Sequence, residues 1–180
     1  MEFTETRLQG AFLIDVNAHS DERGLFARAY CANEFEEAGL EHRLVQANLS
    51  INYKAGTLRG MHYQVAPHDE AKLVRCIRGA LFDQIVDMRP DSATYLQSVG
   101  VELRAENRRA IYIPRGFAHG YQTLTDDTEA FYQVTNFYTP GAEQGLCYDD
   151  PALGLAWPVP VSEISAKDTS WPALRVHDTA

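Results

Sequence analysis

His62 and His119 are the residues on which a reaction would first be built, because an imidazole gains and loses a proton near neutral pH. His62 lies in the run Thr57-Leu-Arg-Gly-Met-His-Tyr-Gln64, entered from Gly56. Strand residues alternate between faces, so Gly60, His62 and Gln64 are expected on one side. If that side lines a barrel, His62 points into the cavity as an acid or base. Taken alone, a strand histidine is more often a satisfied core residue than a catalyst. His119 ends a second run, Arg109-Ala-Ile-Tyr-Ile-Pro-Arg-Gly-Phe-Ala-His119. There Pro114-x-Gly116 makes a tight turn and returns the chain into a strand that carries the imidazole.

Cavity-facing histidines need rigid elements around them, and this sequence reads almost entirely as short strands. Alternating or β-rich stretches occur at Ala11–Val16, Leu25–Tyr30, Leu44–Tyr53, Lys72–Arg78, Ala80–Met88, Gln97–Leu103, Arg109–Ile113, His119–Thr125 and Glu129–Phe137. Turn signals separate them at Asp21–Gly24, Lys54–Gly56, Ile77–Gly79, Arg89–Ser92, Pro114–Gly116 and Thr139–Gly141. Helix is scarce. One short helix is expected over Asn33–Gly39, with Asn33 as its N-cap and Gly39 just past its end. A helical turn is expected within 166–174. Many short strands at such spacing predict an all-β fold, a sandwich or barrel with one or two short helices.

The 180 residues are expected to form one domain, 1–180, long enough to bury a core without staples. A formal net charge of −9 argues against nucleic acid or an anionic membrane surface as partner. A local basic cluster is still compatible with a phosphorylated small molecule. Cys31, Cys76 and Cys147 are scattered, odd in number and outside any CxxC pair, so structural thiols are expected rather than disulfides or zinc ligands. Met1–Gly10 is too polar for a signal peptide, and no apolar run is long enough to span a bilayer. The expected location is the cytoplasm, and only the last few residues after Trp171 read as disordered.

Pro114-x-Gly116-x-x-His119 resembles the second cupin motif, and the stretch around His62 resembles the first. The resemblance implies a cupin jelly-roll barrel with both histidines facing its interior. Many cupins bind a metal through three His and one Glu. Here Gly60 stands where another His is expected, and Ala66 and Pro67 stand where the Glu is expected. Two imidazoles without a carboxylate make a poor site for a first-row metal, so no metal or other cofactor is expected.

Further motifs narrow the resemblance. Asp21-x-Arg23-Gly24-x-Phe26, Val45-Gln46-x-Asn48-x-Ser50, Leu58-Arg59-Gly60-Met61-His62 and Lys72-Leu-Val-Arg75 occur in order, followed by Tyr132 with Tyr138, Asp149-Asp-Pro151, Trp157-Pro158 and Ser165-Ala-Lys-Asp168. This series, from about residue 10 to 170, resembles the dTDP-4-dehydrorhamnose 3,5-epimerase family. The resemblance implies that His62 is the general base beside the C4 ketone of a nucleotide-diphosphate sugar and that Asp168 orients it. It implies that Tyr132 is the acid on the opposite face and that Lys72 stands near the C4 oxygen. Arg23, Phe26, Gln46, Asn48, Arg59, His119 and Tyr138 match positions that line the substrate site, Arg59 as a phosphate contact. Without the resemblance, Tyr132 reads as a core aromatic, Lys72 as an exposed strand lysine and Asp168 as a helix cap. The family also implies a homodimer in which an N-terminal strand reaches the partner's sheet and pocket.

The chain departs from the family pattern at four places. Met61 replaces the usual Leu, Glu70 replaces a Gln two residues before Lys72, Thr94-Tyr-Leu-Gln-Ser98 replaces Thr-Phe-Gly-x-Trp, and Tyr148-Asp-Asp-Pro151 replaces Trp-Asn-Asp-Pro. The leading expectation is epimerisation at C3 and C5 of dTDP-4-keto-6-deoxyglucose, giving dTDP-4-keto-L-rhamnose. The alternatives are a monoepimerase acting at C3 or C5 alone, a metal-dependent cupin and a non-catalytic sugar-binding barrel.

Overall fold

The computed structural model describes residues 1–174; the tail beyond 174, part of the stretch read as disordered, lies outside the described residues. The chain opens with β1 (Glu2–Glu5) and β2 (Phe12–Asp15), then a hairpin of β3 (Ala18–Asp21) and β4 (Gly24–Ala27), then the short helix α1 (Ala32–Glu37). Next come β5 (Gln46–Asn52), β6 (Thr57–Gln64), β7 (Lys72–Arg78), β8 (Ala80–Asp87) and β9 (Ser98–Arg104). They are followed by β10 (Ala110–Ile113), β11 (Phe117–Thr123), β12 (Thr128–Val134), β13 (Glu143–Gly145) and β14 (Glu163–Ile164), and a 3-10 turn at Asp168–Ser170.

One sheet runs β1-β2-β10-β7-β12-β5 and the other β13-β6-β11-β8-β9, with β14 added parallel to β6. Alternation along each strand builds the core between the two sheets. Val74 and Cys76 of β7, Ile111 and Ile113 of β10 and Ala130 of β12 meet Leu81 and Ile85 of β8 and Phe117 and Tyr121 of β11. The intervening residues of the first sheet, among them Leu73, Ala110 and Tyr112, pack outward against Phe35 of α1. Burial of Phe35 is what fixes that six-residue helix, which is too short to stand alone. Outside the second sheet, Met61, Val86 and Ala118 lie under Leu146 and Leu153 of the C-terminal crossing segment. No described helix is long and apolar enough to cross a membrane.

Several boundaries differ from the sequence reading. The helix is capped two residues earlier than expected, by Cys31 with no side-chain cap bond in place of Asn33. Gly39 does sit in the left-handed conformation just past the helix, at φ +73°. β4 ends at Ala27 rather than Tyr30. β1, β3, β13 and β14 had no alternating apolar signal. They form because a paired neighbour supplies their backbone hydrogen bonds, as β2 does for β1.

Candidate active site

The stretch bearing His62 departs from simple alternation. Along β6 and β11, His62 pairs with His119 and Arg59 with Tyr121, so three steps on β6 face two on β11. This bulge turns Arg59 and His62, which alternation assigns to opposite faces, toward one cavity. Glycine permits it. Gly60 has φ +127°, and a Cβ there would lie 2.4 Å from the Cα of Gly120. The predicted partnership of Gly60 with His62 on one face is therefore corrected, while His62 and Gln64 do share a second, smaller cavity.

The larger cavity has a volume of about 520 Å³ and the smaller about 230 Å³, and His62, Lys72 and Tyr132 line both. His62 arrives from the second sheet, whereas Lys72 on β7 and Tyr132 on β12 arrive from the first. The imidazole and the phenol thus stand on facing walls. Tyr132 shares the inward face of β12 with Ala130 and Val134, both buried.

His62 is held at its far side. Its Nε2 lies 2.6 Å from Oδ1 of Asp168, a buried carboxylate delivered by the 3-10 turn. Asp168 is itself fixed by its backbone N–H, which donates to Ser165 Oγ at 3.0 Å, and by Gly60 N–H, which donates to its Oδ2 at 3.4 Å. An acceptor at Nε2 assigns the proton there and leaves the Nδ1 lone pair free. Nδ1 has Glu143 Oε1 at 3.8 Å, and the other oxygen of Glu143 pairs with Lys167. Burial depresses the His62 pKa below the ordinary value, against the opposing pull of Asp168 and Glu143. The imidazole is therefore neutral at pH 7 and able to accept a proton. Burial pushes the Tyr132 phenol above its ordinary range, which keeps it a proton donor.

Lys72 Nζ lies 3.3 Å from Oε1 of Glu70, with both side chains largely covered. Gln64 donates to the other Glu70 oxygen, and Gln64 Oε1 accepts the Thr139 N–H at 2.7 Å. The charge noted at position 70 in the sequence is thus a direct partner of the lysine. His119 Nε2 is 2.8 Å from Oδ2 of Asp83, a fully buried carboxylate whose pKa is raised by burial against the lowering effect of His119. Arg59 Nε donates to Asn52 Oδ1 at 2.7 Å and has no carboxylate within ion-pair distance among the described residues.

Of the residues singled out from the sequence, His62, Lys72, Tyr132, Asp168, Arg59 and His119 meet at the larger cavity. Gln46, Asn48 and Tyr138 line the smaller one. Arg23 and Phe26 join neither. They sit on the β3–β4 hairpin, where the Arg23 side chain is 89% exposed beside Asp21 and Phe26 is 75% exposed. Sequence reasoning missed Glu143, Asp83 and Trp171, because nothing in their local pattern announces a neighbour so distant in the chain. Among the described residues, no group of three His, Cys, Asp or Glu side chains converges as metal ligands.

This arrangement can remove a proton from carbon on one side of a bound molecule, supply one from the other side and place an ammonium near the resulting negative charge. Comparison with known proteins gives the same direction. The profile of the dTDP-4-dehydrorhamnose 3,5-epimerase family matches residues 5–176. The enzyme of that name from Methanothermobacter thermautotrophicus is 43% identical over 176 residues, covering 96% of this chain and 94% of the relative. The crystal structure of dTDP-4-dehydrorhamnose 3,5-epimerase from Elizabethkingia anophelis superposes with a TM-score of 0.93 at 38% identity, covering 96% of each chain. The epimerase from Legionella pneumophila, solved in complex with dTDP-4-keto-L-rhamnose, gives a TM-score of 0.90 at 37% identity, over 96% of this chain and 92% of its own. With its fold and nearly its whole length in agreement, the chain belongs to the dTDP-4-dehydrorhamnose 3,5-epimerase family.

Proposed function

We propose that this protein epimerises C3 and C5 of dTDP-4-keto-6-deoxyglucose, giving dTDP-4-keto-L-rhamnose. The observation that carries the reading is the His62–Asp168 pair on one wall with the Tyr132 phenol on the facing wall. Both C3 and C5 are next to the C4 ketone, so a proton taken from either leaves an enolate with its charge on the same oxygen. His62 Nδ1 takes the proton, and Asp168 stabilises the imidazolium that forms. Lys72 donates to the enolate oxygen, in the manner of an oxyanion site. Tyr132 returns a proton from the opposite face, and the stereocentre inverts. The reaction is redox-neutral and its proton steps are all assigned to side chains.

The diphosphate belongs with Arg59, whose guanidinium faces the larger cavity with no carboxylate partner among the described residues. Arg23 and Phe26 fit the substrate site only if they enter it from a second subunit. An outstretched hairpin, an open β5 edge and the exposed outward residues Leu49 and Ile51 support a homodimer.

Incubation with the dTDP sugar in heavy water tests the reading. Deuterium is expected at both C3 and C5 of the product, and His62→Ala is expected to abolish its incorporation. Label at one carbon alone would replace the proposal with monoepimerisation. Full turnover by His62→Ala would end the assignment of the base.

A further inference from the structure

Gly145 stands directly across from His62 in the pairing of β13 with β6. A Cβ at Gly145 would lie 2.3 Å from the ring of Trp171, so the indole rests on bare backbone at that position. The same ring meets the imidazole of His62 in an edge-to-face arrangement, with centroids 6.4 Å apart. Its Nε1 is buried with no acceptor among the described residues, so packing rather than hydrogen bonding sets its place. Lys167 lies 6.0 Å over the ring and pairs with Glu143, two residues before Gly145. One short turn therefore grips the base twice, with Asp168 at Nε2 and, three residues later, with Trp171 against the ring.

We propose that Trp171 is a positioning residue for the base: seated on Gly145, it holds the His62 ring against Asp168 and shields that pair from bulk water. This rests on the reading of His62 as the general base. Water exclusion matters because burial is the largest influence keeping His62 neutral. The charged or titratable groups facing His62 are Asp168 and Lys167 from the turn region, Glu143 from β13, Lys72 from β7, Tyr132 from β12, His119 and Tyr121 from β11 and Arg59 on its own strand. Replacement of Trp171 removes none of these groups but takes the ring from under Lys167, so Trp171→Phe, which keeps an aromatic face there, is the control for the pH response.

The test measures kcat, KM and the acid limb of kcat/KM for Trp171→Ala, Trp171→Phe, Gly145→Ala and the Trp171→Ala/Gly145→Ala double variant. Trp171→Ala is expected to lower kcat about ten-fold with KM changed less than about two-fold, as loss of orientation predicts. Its acid limb is expected to move to higher pH, because an uncovered imidazole holds its proton more readily. Trp171→Phe keeps an apolar cover and is expected to keep the parent limb. Gly145→Ala drives a methyl into the indole and is expected to reproduce the Trp171→Ala profile. In the Trp171→Ala background, where the slot is vacant, it should add nothing. A parental kcat and limb in Trp171→Ala overturns the proposal, and so does an equal loss from Gly145→Ala in both backgrounds. Full activity in His62→Ala would instead remove the base itself, a separate failure.

Discussion

The Nε2–H of His62 is committed to Asp168, which makes Nδ1 the nitrogen that takes the substrate's proton in the mechanism we propose. Asp168→Asn keeps the shape but offers an amide that supports the wrong tautomer. Its kcat is expected to fall by about 10²- to 10⁴-fold while KM stays near the parent value, by steady-state kinetics. Tyr132→Phe separates the two half-reactions. His62 remains able to remove and return a proton on one face, so this variant is expected to exchange deuterium into the substrate without inverting it. NMR of the recovered sugar reads both outcomes. Lys72→Met is expected to lower kcat by about 10²- to 10³-fold through loss of the donor to the enolate oxygen. Much of this site was legible in the sequence only through the family resemblance, since Tyr132, Lys72 and Asp168 taken alone read as a core aromatic, an exposed lysine and a helix cap. Glu70 was legible only as an altered charge beside Lys72. Glu143 and Trp171 were not legible, since each acts on His62 from a segment that local pattern does not connect to it.

The bulge on β6 decides which side chains can share a cavity. Strand assignment from alternation succeeds along β8 and β10, whose pairings with both neighbours keep one register throughout. It fails between Arg59 and His62, because a bulge depends on the partner strand and leaves no mark on hydrophobic period. The same reason explains the missed β13 and β14, whose two or three residues owe their conformation to pairing with β6. Gly60→Ala is expected to expose this dependence. Its left-handed backbone and the approach of Gly120 leave no room for a methyl. We expect a loss of about 2–4 kcal/mol in urea unfolding, the sum of backbone strain and overpacking. Activity should fall as well, since Arg59 and His62 can no longer be turned to the same side.

At the scale of the whole molecule, two properties depend on groups far from the base. Burial opposes ionisation of Asp87, yet hydrogen bonds from Arg89, Ser92 and Thr94 hold its carboxyl far below the usual range. A depressed folded-state pKa stabilises above the unfolded value of about 3.9 and is lost as pH falls below it. Asp87→Asn is expected to be about 3 kcal/mol less stable at pH 7, with the gap to the parent narrowing below about pH 4 in chemical denaturation. The second property is assembly. If the β3–β4 hairpin completes the site of a partner, sedimentation should give twice the chain mass, and Leu49→Glu with Ile51→Glu should give monomers without turnover. The strand-rich pattern made the class of fold readable, but the β3–β4 hairpin carries too little apolar surface to show where it rests. The order in which the chain is made adds a constraint of its own. Asp168 follows His62 by 106 residues, so at ordinary ribosome speeds the imidazole emerges on the order of 5–20 s before its carboxylate. Every strand of the first sheet has been synthesised by then. A message cut short anywhere between Val134 and Ser165 therefore encodes all of the first sheet and the imidazole without the carboxylate that fixes its tautomer.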